Sequence, residues 1–191
     1  MIIAISNHKG GTGKTTTAIN MASALIKEGS KVLLIDFDPQ ANLTYSLGFN
    51  EIIFDCADWI LKKGNATKII IENSAYHIIP SSIDLYTKEH DIKESFERHG
   101  YKLLRGLLDE LNCLYDYIII DCPPSFSLYT KNALMASDYL IIPTTFDVLS
   151  IQGIRQVLEY VDELRSTSDT TLKLKDYRCG VFEQRKCCSL G

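Results

Sequence analysis

An α/β fold, with a doubly wound and mainly parallel sheet flanked by helices, is predicted by two patterns in the sequence and by its size. Short apolar runs recur as continuous stretches rather than as apolar and polar residues in alternation, which is the mark of strands buried on both faces. Segments with helical periodicity lie between these runs, and strands alternating with helices make a parallel sheet with crossover connections. The 191 residues, 46% of them hydrophobic, suit one domain with a substantial core.

The runs in chain order are IIAIS at 2–6, KVLLID at 31–36, YHIIP at 76–80, YIIID at 117–121 and YLIIP at 139–143. YRCGVF, at 177–182, reads as a sixth strand, with nothing after it long enough to form a covering helix, so the fold is expected to be C-terminally shortened. The first helix is expected from Thr15 to Lys27. Ala18, Ile19, Ala22, Leu25 and Ile26 share one face there, and Gly29 stands where a C-cap belongs. A second helix is expected at about 51–62, stopping near Gly64. A third is expected at about 101–113, with Leu103, Leu104, Leu107, Leu108 and Leu111 as its buried stripe. In sheets of this kind ligands gather at the carboxyl ends of the strands, so polar residues at those ends become the candidates for function.

Composition removes several classes of function. A net charge of −4 gives no general basic character, so any contact with nucleic acid needs a local patch. No apolar stretch approaches the ~20 residues that span a bilayer, and the N-terminus turns polar too soon for a secretion signal, so a cytoplasmic location is expected. Six cysteines without paired C-x-x-C spacing point to reduced thiols rather than a disulfide frame or a zinc site.

The richest stretch is ISNHKGGTGKTTTAIN at 5–20. Strand, glycine-rich turn and helix follow one another there as a phosphate-binding loop requires. Gly10, Gly11 and Gly13 let backbone N–H groups converge on phosphate oxygens, and the helix adds the positive end of its dipole. Lys14 is placed to reach the β- and γ-phosphates and the Thr15 hydroxyl to bind Mg²⁺. The pattern G-x-x-x-x-G-K-[ST] nevertheless fails at His8, where it asks for glycine, and an extra lysine, Lys9, follows.

Two further strands end in acids. LLIDFDPQAN places Asp36 and Asp38 beyond the expected buried part of the second strand, facing a Mg²⁺-phosphate site, with Asp38 the candidate to orient the attacking water and Asp36 to stand nearer the metal. The alternative for Asp36 is a cap on the following turn. In YIIIDCPPS four residues of a strand precede Asp121, whose carboxylate would hold Mg²⁺ directly or through water. Cys122 stands where some ATPases carry a glutamate base, and Pro124 lacks the N–H by which a D-x-x-G switch senses the γ-phosphate. No N-K-x-D guanine-reading motif occurs, so ATP is favoured over GTP.

KGGTGKTT, then LLIDFDPQAN, then YIIIDCPPS together resemble the ParA/MinD group of ATPases with a deviant Walker A motif. DPQAN, IPSSIDL, DCPPS and IPTTFDVLSIQG are similar to its ParA/Soj partition branch. The resemblance runs from residue 1 to about 160 and implies a single P-loop NTPase domain over 1–191. It implies that the loop Lys9, Gly10, Gly11, Thr12, Gly13, Lys14, Thr15 and Thr16 binds ATP, that Thr15, Asp36 and Asp121 serve Mg²⁺, and that Lys9, Lys14 and Asp38 are catalytic. Lys9 matches the signature lysine that reaches the nucleotide of the partner in an ATP-dependent homodimer. The function implied is slow, partner-stimulated hydrolysis in plasmid or chromosome partition, with a ParB-like centromere-binding protein as partner. Non-specific DNA binding would use Arg155, Arg165, Lys173, Lys175, Arg178, Arg185 and Lys186, among which acids are interleaved. The alternatives are a MinD-like membrane-recruited positioning ATPase, for which EQRKCCSLG is too short an amphipathic helix, a metal-cluster ATPase using the cysteines, and a nucleotide-binding scaffold with little turnover.

Overall fold

The computed structural model describes residues 1–61, 69–73, 75–99, 102–145, 148–167 and 176–181. Among them seven strands form one sheet in the order β3-β4-β2-β5-β1-β6-β7. The strands are β1 (Ile2–Ile5), β2 (Val32–Asp36), β3 (Ile71–Glu72), β4 (His77–Ile79), β5 (Tyr117–Asp121), β6 (Tyr139–Thr144) and β7 (Asp176–Val181). Every neighbouring pair is parallel except the two-residue edge strand β3, which pairs antiparallel with β4. All the expected strands are present, and β7 fills the place foreseen for the sixth.

The strands are apolar on both sides because both sides are covered. Ile2 and Ala4, Leu33 and Ile35, and Ile118 and Ile120 face one core. Ile5, Val32, Leu34 and Ile119 face a second core built around helix α1 (Lys14–Lys27) through Ala18 and Ala22. The period of two within each continuous run thus divides it between two layers. The short helix α2 (Asn42–Ser46) adds Leu43 to the α1 face. The opposite layer holds α3 (Cys56–Ile60), α4 (Asp84–Thr87), α5 (Glu89–His99), α6 (Lys102–Asp109), α7 (Leu128–Ala136) and α8 (Val148–Thr167).

The second expected helix is shorter than its apolar content suggested. Asp55 accepts hydrogen bonds from the N–H groups of Ala57 and Asp58, while Asp58 accepts from the Asp55 N–H. This reciprocal capping box starts α3 at Cys56 and leaves residues 52–54 outside it; the stop expected near Gly64 lies outside the described residues. The third expected helix is α6, which keeps the whole leucine stripe buried, although Leu111 belongs to the turn after it.

Candidate nucleotide site

The parallel order brings the carboxyl ends of β1, β2, β5 and β6 side by side. A cleft of about 700 Å³ opens over those ends, walled by Gly10 through Thr16, by Asp38, Gln40, Asn42 and Ser46 after β2, by Pro124 after β5 and by Thr145 after β6.

The loop needs its glycines at two positions in particular. Gly11 and Gly13 have φ of +73° and +84°, where an L side chain is strained. Among the described non-glycine residues only Ala41 has a positive φ, so the backbone at His8 is of an ordinary kind that any residue adopts. Its failure to be glycine costs the loop nothing. Gly13 is also the N-cap of α1, and with no side chain capping that terminus and no acid in the first turn, its N–H donors and dipole remain available to an anion.

Lys14 is nearly buried at 8% exposure, and its ammonium donates to the Lys9 carbonyl at 3.3 Å. Burial lowers its pKa from the ordinary lysine value, opposed by the attraction of Asp121, Asp38 and the Cys122 side chain. The Thr15 hydroxyl donates to Asp121 Oδ2 at 2.7 Å, so the two residues expected to serve Mg²⁺ are in contact. Asp121 Oδ1 is buried and has no hydrogen-bond partner among the described residues. Burial pushes Asp121 up to about 7, with Thr15 pulling it down and Asp36 adding to the rise. An oxygen-only donor pair with an orphaned, buried carboxylate oxygen fits a hard divalent cation.

Asp36 stands elsewhere than expected. It is the last residue of β2, in register with Asp121, and it is wholly buried rather than beyond the buried part of the strand. Its Oδ1 accepts from the Asp38 N–H at 3.1 Å, and its Oδ2 from the N–H and hydroxyl of Thr44 at 2.9 and 2.7 Å. Ala41, the N-cap of α2, has no side chain to offer the helix, and Asp36 supplies the missing acceptor from the strand below. Burial pushes Asp36 up to about 6 against these hydrogen bonds. Asp38 is half-buried on the cleft wall, with Oδ1 accepting from the Gln40 N–H at 2.9 Å. Cys122 is fully buried, and burial, reinforced by Asp121, raises its thiol far above the ordinary range, so it offers neither a base nor a nucleophile.

Lys9 is half-buried where the loop leaves β1. Its N–H donates to Asn7 Oδ1 at 3.0 Å, while Asn7 Nδ2 donates to the Pro143 carbonyl at 2.7 Å. His8 stacks on Phe126. Sequence reasoning passed over Asn7, Thr44 and Phe126. Asn7 had a legible signal, since an asparagine two residues before a loop position forms this local side-chain turn. Thr44 and Phe126 act across the fold and had none. Of the basic residues named for DNA, Arg155 pairs with Glu159 at 2.8 Å and Arg165 with Asp162 at 3.5 Å. Lys173, Lys175, Arg185 and Lys186 lie outside the described residues, as does the side chain of Arg178 on β7.

A family model described as an AAA domain matches residues 1–174. The sporulation initiation inhibitor protein Soj of Bacillus subtilis (strain 168) is 38% identical over 190 residues, covering 96% of this chain and 74% of Soj. The chain belongs to the ParA/Soj family. Among solved structures, a plasmid partition protein from Borrelia burgdorferi is 32% identical with a TM-score of 0.77, covering 97% of this chain and 80% of that one. Cobyrinic acid a,c-diamide synthase from Mycobacterium smegmatis with a bound ATP analogue and magnesium is 30% identical with a TM-score of 0.82, covering 94% of this chain and 72% of the synthase. A partition protein and a synthase therefore share this architecture, and fold alone does not choose between their activities. The ParA/Soj sequence match makes this chain a partition-type P-loop ATPase, and among the described residues no helix is long and apolar enough to cross a membrane.

Proposed function

We propose that this ParA/Soj-family chain is an ATP-driven partition switch that binds Mg-ATP in the cleft, pairs with a second copy across the nucleotide and hydrolyses slowly until a ParB-like adaptor intervenes. The observation that carries it is the contact of Thr15 with Asp121 beside an orphaned carboxylate oxygen, at the foot of a glycine loop whose inner lysine is already drawn inward. Thr15 and Asp121 would hold Mg²⁺, which when bound supplies positive charge to the phosphates. Gly10 through Gly13 and the first turn of α1 bind phosphate oxygens by their N–H groups. Lys14 exchanges the Lys9 carbonyl for a phosphate oxygen and neutralises charge there. Asp38, on the wall of the same cleft, orients water; with Cys122 inert and no acid immediately following Asp121 in the sequence, a lone subunit has little else to speed the reaction.

Lys9 completes the site of a partner rather than its own, which explains two lysines in one loop. A cation supplied in trans accelerates phosphoryl transfer by ~10³–10⁵ in other systems. The ATP-bound pair would bind DNA without sequence preference and lose that affinity as salt rises. Measuring ATP turnover against protein concentration tests the reading. Specific activity should climb with concentration in the wild type and stay low and flat in Lys9→Ala. Activity per molecule that is independent of concentration and unchanged in Lys9→Ala contradicts it.

A further inference from the structure

The residues that lead into the phosphate loop are gripped at two places by a single helix. Asn7 is wholly buried, fixed by its bond to the Pro143 carbonyl, and its Oδ1 holds the Lys9 N–H. Against that same oxygen lies Gly153 of α8. A Cβ at Gly153 would stand 3.1 Å from Asn7 Oδ1 and 3.9 Å from Lys9 Cβ, so glycine is what lets the helix approach. The second grip is aromatic. The His8 ring stacks on Phe126 with centroids 4.7 Å apart and planes within 3°, and Phe126 in turn contacts Tyr160 of α8 at 4.6 Å. Gly153 and Tyr160 are about two helical turns apart and share the inward face of α8 with the buried Val157 and Val161.

Nothing in the fold of the loop itself requires the aromatic contact. His8 is exposed and its backbone is unstrained, and Phe126 belongs to the segment that follows Asp121. We infer that His8, stacked on Phe126, is a positioning residue that, with Asn7, clasps the root of Lys9 to α8, so that the seating of this helix sets where Lys9 is presented. The functional half of the inference rests on the reading of Lys9 as the lysine offered to a partner. Its mechanical half does not. A force applied to α8, or a shift of the segment after Asp121, reaches residues 7–9 first through these contacts, and passes to the phosphate cradle through the Lys9 carbonyl, which accepts from the Thr12 hydroxyl and the Lys14 ammonium.

The test combines hydrogen exchange with kinetics on the full chain. His8→Ala removes the stack at an exposed position, His8→Phe keeps a ring there, and Gly153→Ala presses on the other grip. In the nucleotide-free protein, His8→Ala and Gly153→Ala should each speed amide exchange in residues 7–13 by roughly fivefold or more, with His8→Phe close to wild type. Binding of a fluorescent ATP analogue to the monomer should stay within about twofold in His8→Ala, while ATP-dependent dimerisation weakens about tenfold and His8→Phe restores it. Unchanged exchange in the loop overturns the clasp, whatever Lys9 does. Faster exchange with wild-type dimerisation in His8→Ala, where Lys9→Ala fails to dimerise, overturns its positioning role, as does a His8→Phe variant that behaves like His8→Ala. Dimerisation unaffected by Lys9→Ala overturns the reading of Lys9 and with it the positioning role, and the exchange result still decides the clasp.

Discussion

Asp36 and Asp121 lie opposite one another because β2 and β5 pair in register at their last residues, and both are buried there. Burial is the larger cause of their raised pKa values, about 6 and about 7, and their mutual repulsion adds to the rise at Asp121. An unfolded carboxyl titrates near 4, so between about pH 4 and pH 7 the folded chain holds more protons than the unfolded one. The free energy of unfolding therefore falls as pH rises through that window. The effect is on the order of a few kcal/mol, because each tenfold change in a group's proton affinity on folding is worth about 1.4 kcal/mol. The melting temperature of the nucleotide-free protein in chelator should drop between about pH 4 and pH 7, and Asp121→Asn should flatten much of that slope. An equal slope in the variant would mean that Asp121 does not take up the proton. The same residue shows what the sequence could tell. The type and spacing of Asp121 marked it as a cation ligand, but the orphaned state of Oδ1 depends on which neighbours the sheet delivers.

The apolar strands and helices α1 and α6 were legible, whereas the nine-residue α7 and the 20-residue α8 were not among the expected helices. Helix α1 shows several turns of apolar spacing and ends at a glycine with φ of +86°. Helices α2 and α4 span five and four residues, too little for a periodicity to register, and β3 has only two. Helix α5, EHDIKESFERH, buries only Ile92 and Phe96 of its side chains described, an apolar stripe of two residues. Asp36 was misplaced for a related reason: an acid at the end of an apolar run looks like the first exposed residue, and its burial depends on α2 closing over it. Thr44 is the pivot of that closure. Its hydroxyl donates to Asp36 Oδ2 and accepts the Ser81 N–H at 3.0 Å, joining β2, α2 and the chain after β4. Thr44→Val would leave both buried groups short of a partner and should cost about 2 kcal/mol in urea unfolding at an unchanged m-value. A loss within about 0.5 kcal/mol of wild type would mean that α2 is held by other contacts.

Across the whole molecule, a central β1 flanked by β5 and β6 collects the functional groups at one end of the sheet, while two apolar layers hold the strands from either side. That end was predictable from alternating strands and helices alone. The grip of α8 on residues 7–9 was not, because Gly153, Phe126 and Tyr160 are far from the loop in sequence and each reads locally as an ordinary packing residue. The cleft presents phosphate-binding groups from one subunit, and Lys9 stands at its root, its N–H held by Asn7 and its carbonyl accepting from the Lys14 ammonium. In the proposed switch this arrangement works in pairs. Light scattering on the eluting protein tests it, with ADP, with Mg-ATP, and with Mg-ATP after Lys9→Ala or Asp38→Ala. Monomer is expected with ADP and with Lys9→Ala, and a dimer in Mg-ATP that accumulates when Asp38→Ala blocks hydrolysis. Wild type and Asp38→Ala that both bind Mg-ATP and both remain monomeric would contradict it.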